Sequence, residues 1–152
     1  IMANDSKVSL KAFFFDPFEF EDYKDLHRAK KTFAVTIVTT RGTYEITIKE
    51  GYLSDGMSVP VIFRWFLKSW YGDKDKRSLC GIIHDILYMT KGLNGVFNRD
   101  DSDAIFRGML RESGMSRFTA STADLALYIG AKKHFGDDSL HMMDYVTYKQ
   151  VC

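Results

Sequence analysis

The order of patterns along the chain predicts an α+β fold, with a small antiparallel sheet followed by a bundle of about four helices. Two runs rich in β-branched and aromatic residues, 32–39 (TFAVTIVT) and 43–49 (TYEITIK), lie either side of Arg41-Gly42. Together they read as one hairpin of about 32–49. Beyond Gly51 the apolar residues recur at helical spacing instead of alternating. A length of 152 residues suits one core, so 1–152 is read as a single domain.

Taken in order, the aromatic-acidic block 13–23 (FFFDPFEFEDY) alternates only in part and is broken by Pro17, which predicts an irregular or edge segment. In the second hairpin strand Tyr44, Ile46 and Ile48 alternate with Glu45, Thr47 and Lys49, so one face is expected to be buried. Pro60 suits the first position of a helix reaching about residue 70. Gly72 and the charged residues 73–77 read as a loop. A second helix is expected at about 78–90, ended by Gly92, Asn94 and Gly95. Asn98 suits the cap of a third, with Asp100 and Asp101 complementing its dipole and Gly114 closing it. A fourth is expected at about 119–134, followed by Gly136 and a polar tail.

The composition is that of a globular protein, 45% apolar and 27% charged, with no apolar run near the roughly 20 residues of a membrane span. The 21 basic and 20 acidic residues leave a net charge of +1, without the basic excess expected of a nucleic-acid binder. No signal peptide is expected from residues 1–9. Cys80 and Cys152 are read as reduced thiols rather than a disulfide framework, which suits a cytoplasm.

On a helical wheel of 78–90, Leu79, Ile82, Ile83, Ile86 and Leu87 share one apolar face. Cys80, His84 and Tyr88 form a stripe along one border of it, and Asp85 sits about 100° from His84. In the next helix Ile105, Phe106, Met109 and Leu110 face inward, with Asp103 at the edge of that face. A short glycine-rich connection allows the two helices to lie antiparallel, which would bring Asp103 near His84 and Tyr88. In that arrangement Asp103 orients His84, and His84 activates a water as general base. Asp85 would hold a hard cation such as calcium or polarise the site. The competing reading is structural: His-Asp is a common dipeptide, and Asp103 can simply complement a helix dipole.

The stretch His84-Asp85-Ile86-Leu87-Tyr88, followed by Arg99, Asp103 and Phe106, resembles the two catalytic helices of the phospholipase A₂ superfamily, most closely its short microbial members. The likeness covers about residues 79–112. It implies His84 as base, Asp85 as calcium ligand, Asp103 as the partner that orients His84, and Tyr88 as a hydrogen-bond partner of Asp103. The chain lacks the disulfides of those enzymes, and Tyr71-Gly72-Asp73 is its nearest counterpart of their calcium loop. A second likeness covers about residues 45–135. Asp55-Gly56-Met57-Ser58-Val59-Pro60, the His84–Tyr88 motif and Arg99…Asp103-x-x-Phe106 resemble, in the same order, a family of uncharacterised phage and prophage proteins. It implies a phage or prophage origin and the cytoplasm of a bacterial host, or association with the virion.

Asp55 and Ser58 are further candidates, projected from a turn, although turn formation and capping account for both. Ser58 lacks the Gly-x-Ser-x-Gly surroundings of a nucleophile elbow. Phe63, Trp65, Phe66, Trp70 and Tyr71, interleaved with Arg64 and Lys68, suit a small core or an interfacial patch for lipid or a partner protein. His27, His134 and His141 lack zinc-ligand spacing with the cysteines. Two functional classes follow. One is a phage-type hydrolase-like domain acting on phospholipid esters through His84 and Asp103, with calcium as candidate cofactor. The other is a non-enzymatic virion, tail-assembly or host-interaction protein in which the same residues form a buried polar network.

Overall fold

The computed structural model describes residues 7–24, 26–54, 74–114, 116, 118, 120 and 141–152, with backbone alone at 74–78. Its strands are β1 (Leu10–Phe15), β2 (Phe20–Tyr23), β3 (Leu26–Ala29), β4 (Phe33–Thr39), β5 (Gly42–Ile48), β6 (Leu53–Ser54) and β7 (Val146–Gln150). They form two antiparallel sheets, one in the order β1-β4-β5-β7 and a smaller one in the order β2-β3-β6. Two long helices, α1 (Lys74–Met89) and α2 (Arg99–Glu112), are joined through a short helical turn at Lys91–Gly95. The α+β class therefore holds.

The β4–β5 hairpin lies at the centre of the larger sheet, and its alternation is the one expected. Phe33, Val35 and Ile37 on β4 and Tyr44, Ile46 and Ile48 on β5 are all buried. The turn itself is Thr40-Arg41, with Thr39 opposite Gly42, one residue earlier than the expected Arg41-Gly42. Thr39 provides the reason: its hydroxyl donates to the Gly42 carbonyl at 2.8 Å and accepts from the Arg41 amide at 3.1 Å. Such local side-chain bonds select a turn position. The block 13–23 resolves into β1, an edge strand, and β2, with Pro17 in the break between them.

Two expectations are corrected. Residues 74–77 open α1 instead of forming a loop; Lys and Arg are good helix formers, but a charged first turn carries no apolar period. The tail is not wholly irregular, since β7 returns to pair with β5, Ile48 facing Val146 and Tyr44 facing Gln150. The sheet therefore takes strands from both ends of the chain. The predicted helix at about 60–70, and all of that at about 119–134 except Ala120, which is helical and buried, lie outside the described residues. So do Asp55, Ser58, the aromatic block 63–71, Tyr71-Gly72-Asp73 and His134.

Helix α2 packs on β1 as well as on α1. The approach to β1 is close, because a Cβ placed on Gly108 would lie 2.7 Å from Leu10 Cβ. Helix propensity favours Gly108→Ala by about 1 kcal/mol, while overpacking of this kind costs about 1–3 kcal/mol. Gly108→Ala is therefore expected to lower stability by roughly 1 kcal/mol, read as a lower urea midpoint at unchanged slope.

Candidate active site

The apolar face of α1 is as the wheel placed it: Leu79, Ile82, Ile83, Ile86 and Leu87 are buried. The adjoining stripe is buried too, because α2 covers it. Cys80, His84 and Tyr88 are all nearly inaccessible, where a border position had suggested partial exposure. Asp85 is half-buried. On α2, Ile105, Phe106, Met109 and Leu110 face the core, and Asp103 is buried beside them.

The start of α2 is set by a capping box. The Asn98 side chain accepts from the Asp101 amide at 2.8 Å, and the Asp101 carboxylate accepts from the Asn98 amide at 3.0 Å. The same Asp101 Oδ2 is 2.7 Å from Arg41 Nη1, which also donates to the Val96 carbonyl at 3.0 Å. The hairpin tip is thereby tied to the first turn of the helix that carries Asp103. Sequence reasoning assigned Asp101 a dipole role only; the Asn98-x-x-Asp101 spacing was the available sign of the box. Asp101→Ala removes the box and the Arg41 contact together, so a loss of about 1–2 kcal/mol is expected in chemical denaturation.

Between the helices lies a chain of polar contacts. His84 Nε2 is 2.9 Å from Asp103 Oδ1, and the Tyr88 hydroxyl donates to that same oxygen at 2.6 Å. Arg99 Nε donates to the Tyr88 oxygen at 3.2 Å. The spacing is simple: Tyr88 is one turn beyond His84 on α1, and Asp103 is one turn beyond Arg99 on α2. Running the helices antiparallel puts each member of one pair beside a member of the other. The His84 ring is packed by Tyr88, 4.4 Å between centroids, and by Phe106 at 4.7 Å.

A carboxylate can only accept, so a proton shared across the 2.9 Å contact sits on His84 Nε2 and leaves the lone pair on Nδ1. Among the described residues no hydrogen bond is made at Nδ1. The pair is thus arranged as an oriented base, with Nδ1 as the basic atom. Burial, and then the hydrogen bond to Asp103, hold the Tyr88 phenol well above its usual range, while Arg99 acts in the opposite direction. Tyr88 consequently remains a donor to Asp103 throughout the neutral range. A cavity of about 650 Å³ lies farther along α2, lined by Leu10, Arg107, Gly108 and Arg111 among others; no residue of the His84 cluster lines it.

Cys80 lies on the same stripe, and burial pushes its thiol from 9.0 up to about 12, with a smaller opposing contribution from a Ser113 hydrogen bond. Cys152 is exposed, and neither cysteine is in a disulfide. Native protein at neutral pH is expected to react with a thiol reagent at Cys152 alone, with Cys80 labelled only on unfolding. The Cys80 contribution to stability is fully present below pH 9 and is lost as pH rises toward 12, because the unfolded chain ionises first. Equal labelling of both thiols in native protein would contradict this burial.

Residues 31–127 match a family described as "Protein of unknown function (DUF1353)". The chain belongs to this family. The DUF1353 match encloses β4, β5, α1, α2 and all of His84, Asp85, Tyr88, Arg99 and Asp103, whereas β1 to β3 and β7 fall outside it. No match was found among curated proteins or among solved structures.

Metal binding can be tested against the residues present. Among the described residues no group of three or more His, Cys, Asp or Glu side chains could hold a metal ion. Calcium takes six to eight oxygens, and Asp85 alone does not make such a site.

Proposed function

We propose that the chain is a hydrolase-like domain in which His84, oriented by Asp103, draws a proton from water, and that phospholipid esters are its substrate class. The observation that carries this reading is the paired approach of His84 Nε2 and the Tyr88 hydroxyl to one oxygen of Asp103. It holds the imidazole in one orientation with Nδ1 as the basic atom. In the step itself, Nδ1 accepts a proton as the water oxygen bonds to the ester carbonyl carbon. The tetrahedral intermediate then expels the alkoxide, which takes the proton back from the imidazolium. The phospholipase A₂ resemblance of residues 79–112 supplies the substrate class, and the ordered motifs supply a phage or prophage origin.

The test is fatty-acid release from mixed phospholipid vesicles, with calcium and with chelator, by the parent protein and by His84→Ala. Release by the parent that falls at least about 100-fold in the variant is expected. Dependence on calcium would add Asp85 as a candidate ligand.

A second reading is favoured by a different observation. His84 is 3% exposed and Asp103 5%, the burial of a polar network that fixes two helices. On that reading the protein is a non-enzymatic virion, tail-assembly or host-interaction component. It expects no release from any vesicle, together with a large loss of stability in the His84 and Asp103 variants.

A further inference from the structure

We propose that Arg99 is a positioning residue, which directs the single proton of the Tyr88 hydroxyl onto Asp103 and so holds Asp103 toward His84. The inference deepens the hydrolase reading and rests on it for its functional meaning. It concerns regulation of the same site from the outer end of the polar chain.

The argument starts from hydrogen inventory. A phenol has one proton to donate, and its oxygen can accept. Arg99 Nε is a donor at every accessible pH and has no accepting capacity. When Arg99 Nε–H points at the Tyr88 oxygen, at 3.2 Å, that hydroxyl cannot rotate its own proton toward Arg99. The proton is left for Asp103 Oδ1, where the contact is 2.6 Å. Donation by a cation polarises the O–H bond, which strengthens the next hydrogen bond in the chain. Asp103 Oδ1, fixed from one side by Tyr88, meets His84 Nε2 at 2.9 Å. Two contacts thus run in one sense, Arg99 to Tyr88 to Asp103, and His84 donates to the same Asp103 oxygen from the other side. Arg99 is half-buried at the first helical position of α2. Its contact with the Tyr88 hydroxyl is the link that joins it to Asp103 and His84.

The experiment uses the full chain labelled with ¹⁵N-histidine. The ring nitrogens of His84 are assigned by their disappearance in His84→Gln, and its tautomer is read in the parent, Arg99→Gln, Tyr88→Phe and the double variant. The parent is expected to show a single tautomer with the proton on Nε2. Arg99→Gln is expected to show a mixture of tautomers, and to produce no further change once Tyr88→Phe is present. Vesicle hydrolysis by Arg99→Gln is expected to fall roughly tenfold in kcat with KM unchanged. Arg99→Lys keeps the charge but not the planar N–H, so an intermediate ring spectrum is expected; it also serves if the glutamine variant misfolds. A His84 spectrum in folded Arg99→Gln identical to that of the parent would overturn the inference, and so would full additivity with Tyr88→Phe. If the ring spectra behave as expected while the parent releases no fatty acid, the positioning chain stands and the hydrolase reading falls.

Discussion

Gly92→Ala is expected to abolish the native connection between α1 and α2, with a loss of about 3 kcal/mol or more. Two independent constraints act on this residue. Its φ is +68°, and Leu93 and Asn94 after it are also left-handed, a conformation costing an L-residue about 1–2 kcal/mol. In addition, a Cβ at Gly92 would lie 1.6 Å from the Phe97 carbonyl oxygen. That oxygen belongs to backbone and has no rotamer by which to escape. The turn is already anchored on both sides. Thr90 Oγ1 accepts from the Leu93 amide at 2.9 Å while donating to the Ile86 carbonyl at 2.7 Å, and the Phe97 amide donates to the Gly92 carbonyl at 2.9 Å. Phe97 is itself buried edge-on against Tyr44, 5.4 Å between centroids, so the clash cannot be relieved without disturbing the core. Thermal denaturation of the variant, followed by near-UV circular dichroism, is the check. A midpoint within a few degrees of the parent would show that the turn is not built as described.

The second large effect is expected at Asp103, and it should depend on which atom is removed. Asp103→Ala leaves two buried donors, His84 Nε2 and the Tyr88 hydroxyl, without their shared acceptor. At about 1–3 kcal/mol for each orphaned group, plus a small void, the loss should be about 3–5 kcal/mol. Asp103→Asn keeps an oxygen and the shape of the side chain, so a loss of about 1–2 kcal/mol is expected. Tyr88→Phe removes one donor from the same oxygen and is expected to be non-additive with either change. Urea denaturation of the three single variants and the double variants reads these differences directly. Equal losses for alanine and asparagine would mean that the retained shape and amide oxygen contribute nothing, and that only the carboxylate serves as the shared acceptor.

Much of this was legible in the residues because periodicity reports burial. The alternation of Tyr44, Ile46 and Ile48, and the i, i+3, i+4 placement of Leu79, Ile82, Ile83, Ile86 and Leu87, identify the faces that are buried. The i, i+4 spacing of His84 and Tyr88, with Asp103 at the edge of the next helix's apolar face and a short glycine-bearing connection, predicted Asp103 near both; the contact of Arg99 with Tyr88 was not foreseen. Asn98, Asp101 and Gly114 marked the limits of α2. Other features were illegible for physical reasons. Strand β7 is an edge strand whose outer positions, Lys149 and Gln150, are polar, so its Val-Thr-Tyr core was too short to stand out from a tail. The pairing that adds β6 to the β2–β3 hairpin joins long-range partners, Arg28 with Leu53, which local patterning does not report. The tie from Arg41 to Asp101 spans 60 residues and has no local signature. The full burial of His84 was missed because a wheel shows one helix, and it is the second helix that seals the stripe.

The most direct test of the account is the rate of fatty-acid release from mixed phospholipid vesicles by Asp103→Asn relative to the parent, at matched folded fraction. If His84 is a base oriented by Asp103, the variant stays folded, and its kcat falls by about 100-fold or more. If folded Asp103→Asn releases fatty acid as fast as the parent, or if the parent releases none, the pair does not carry the chemistry, and its role is to hold α1 against α2.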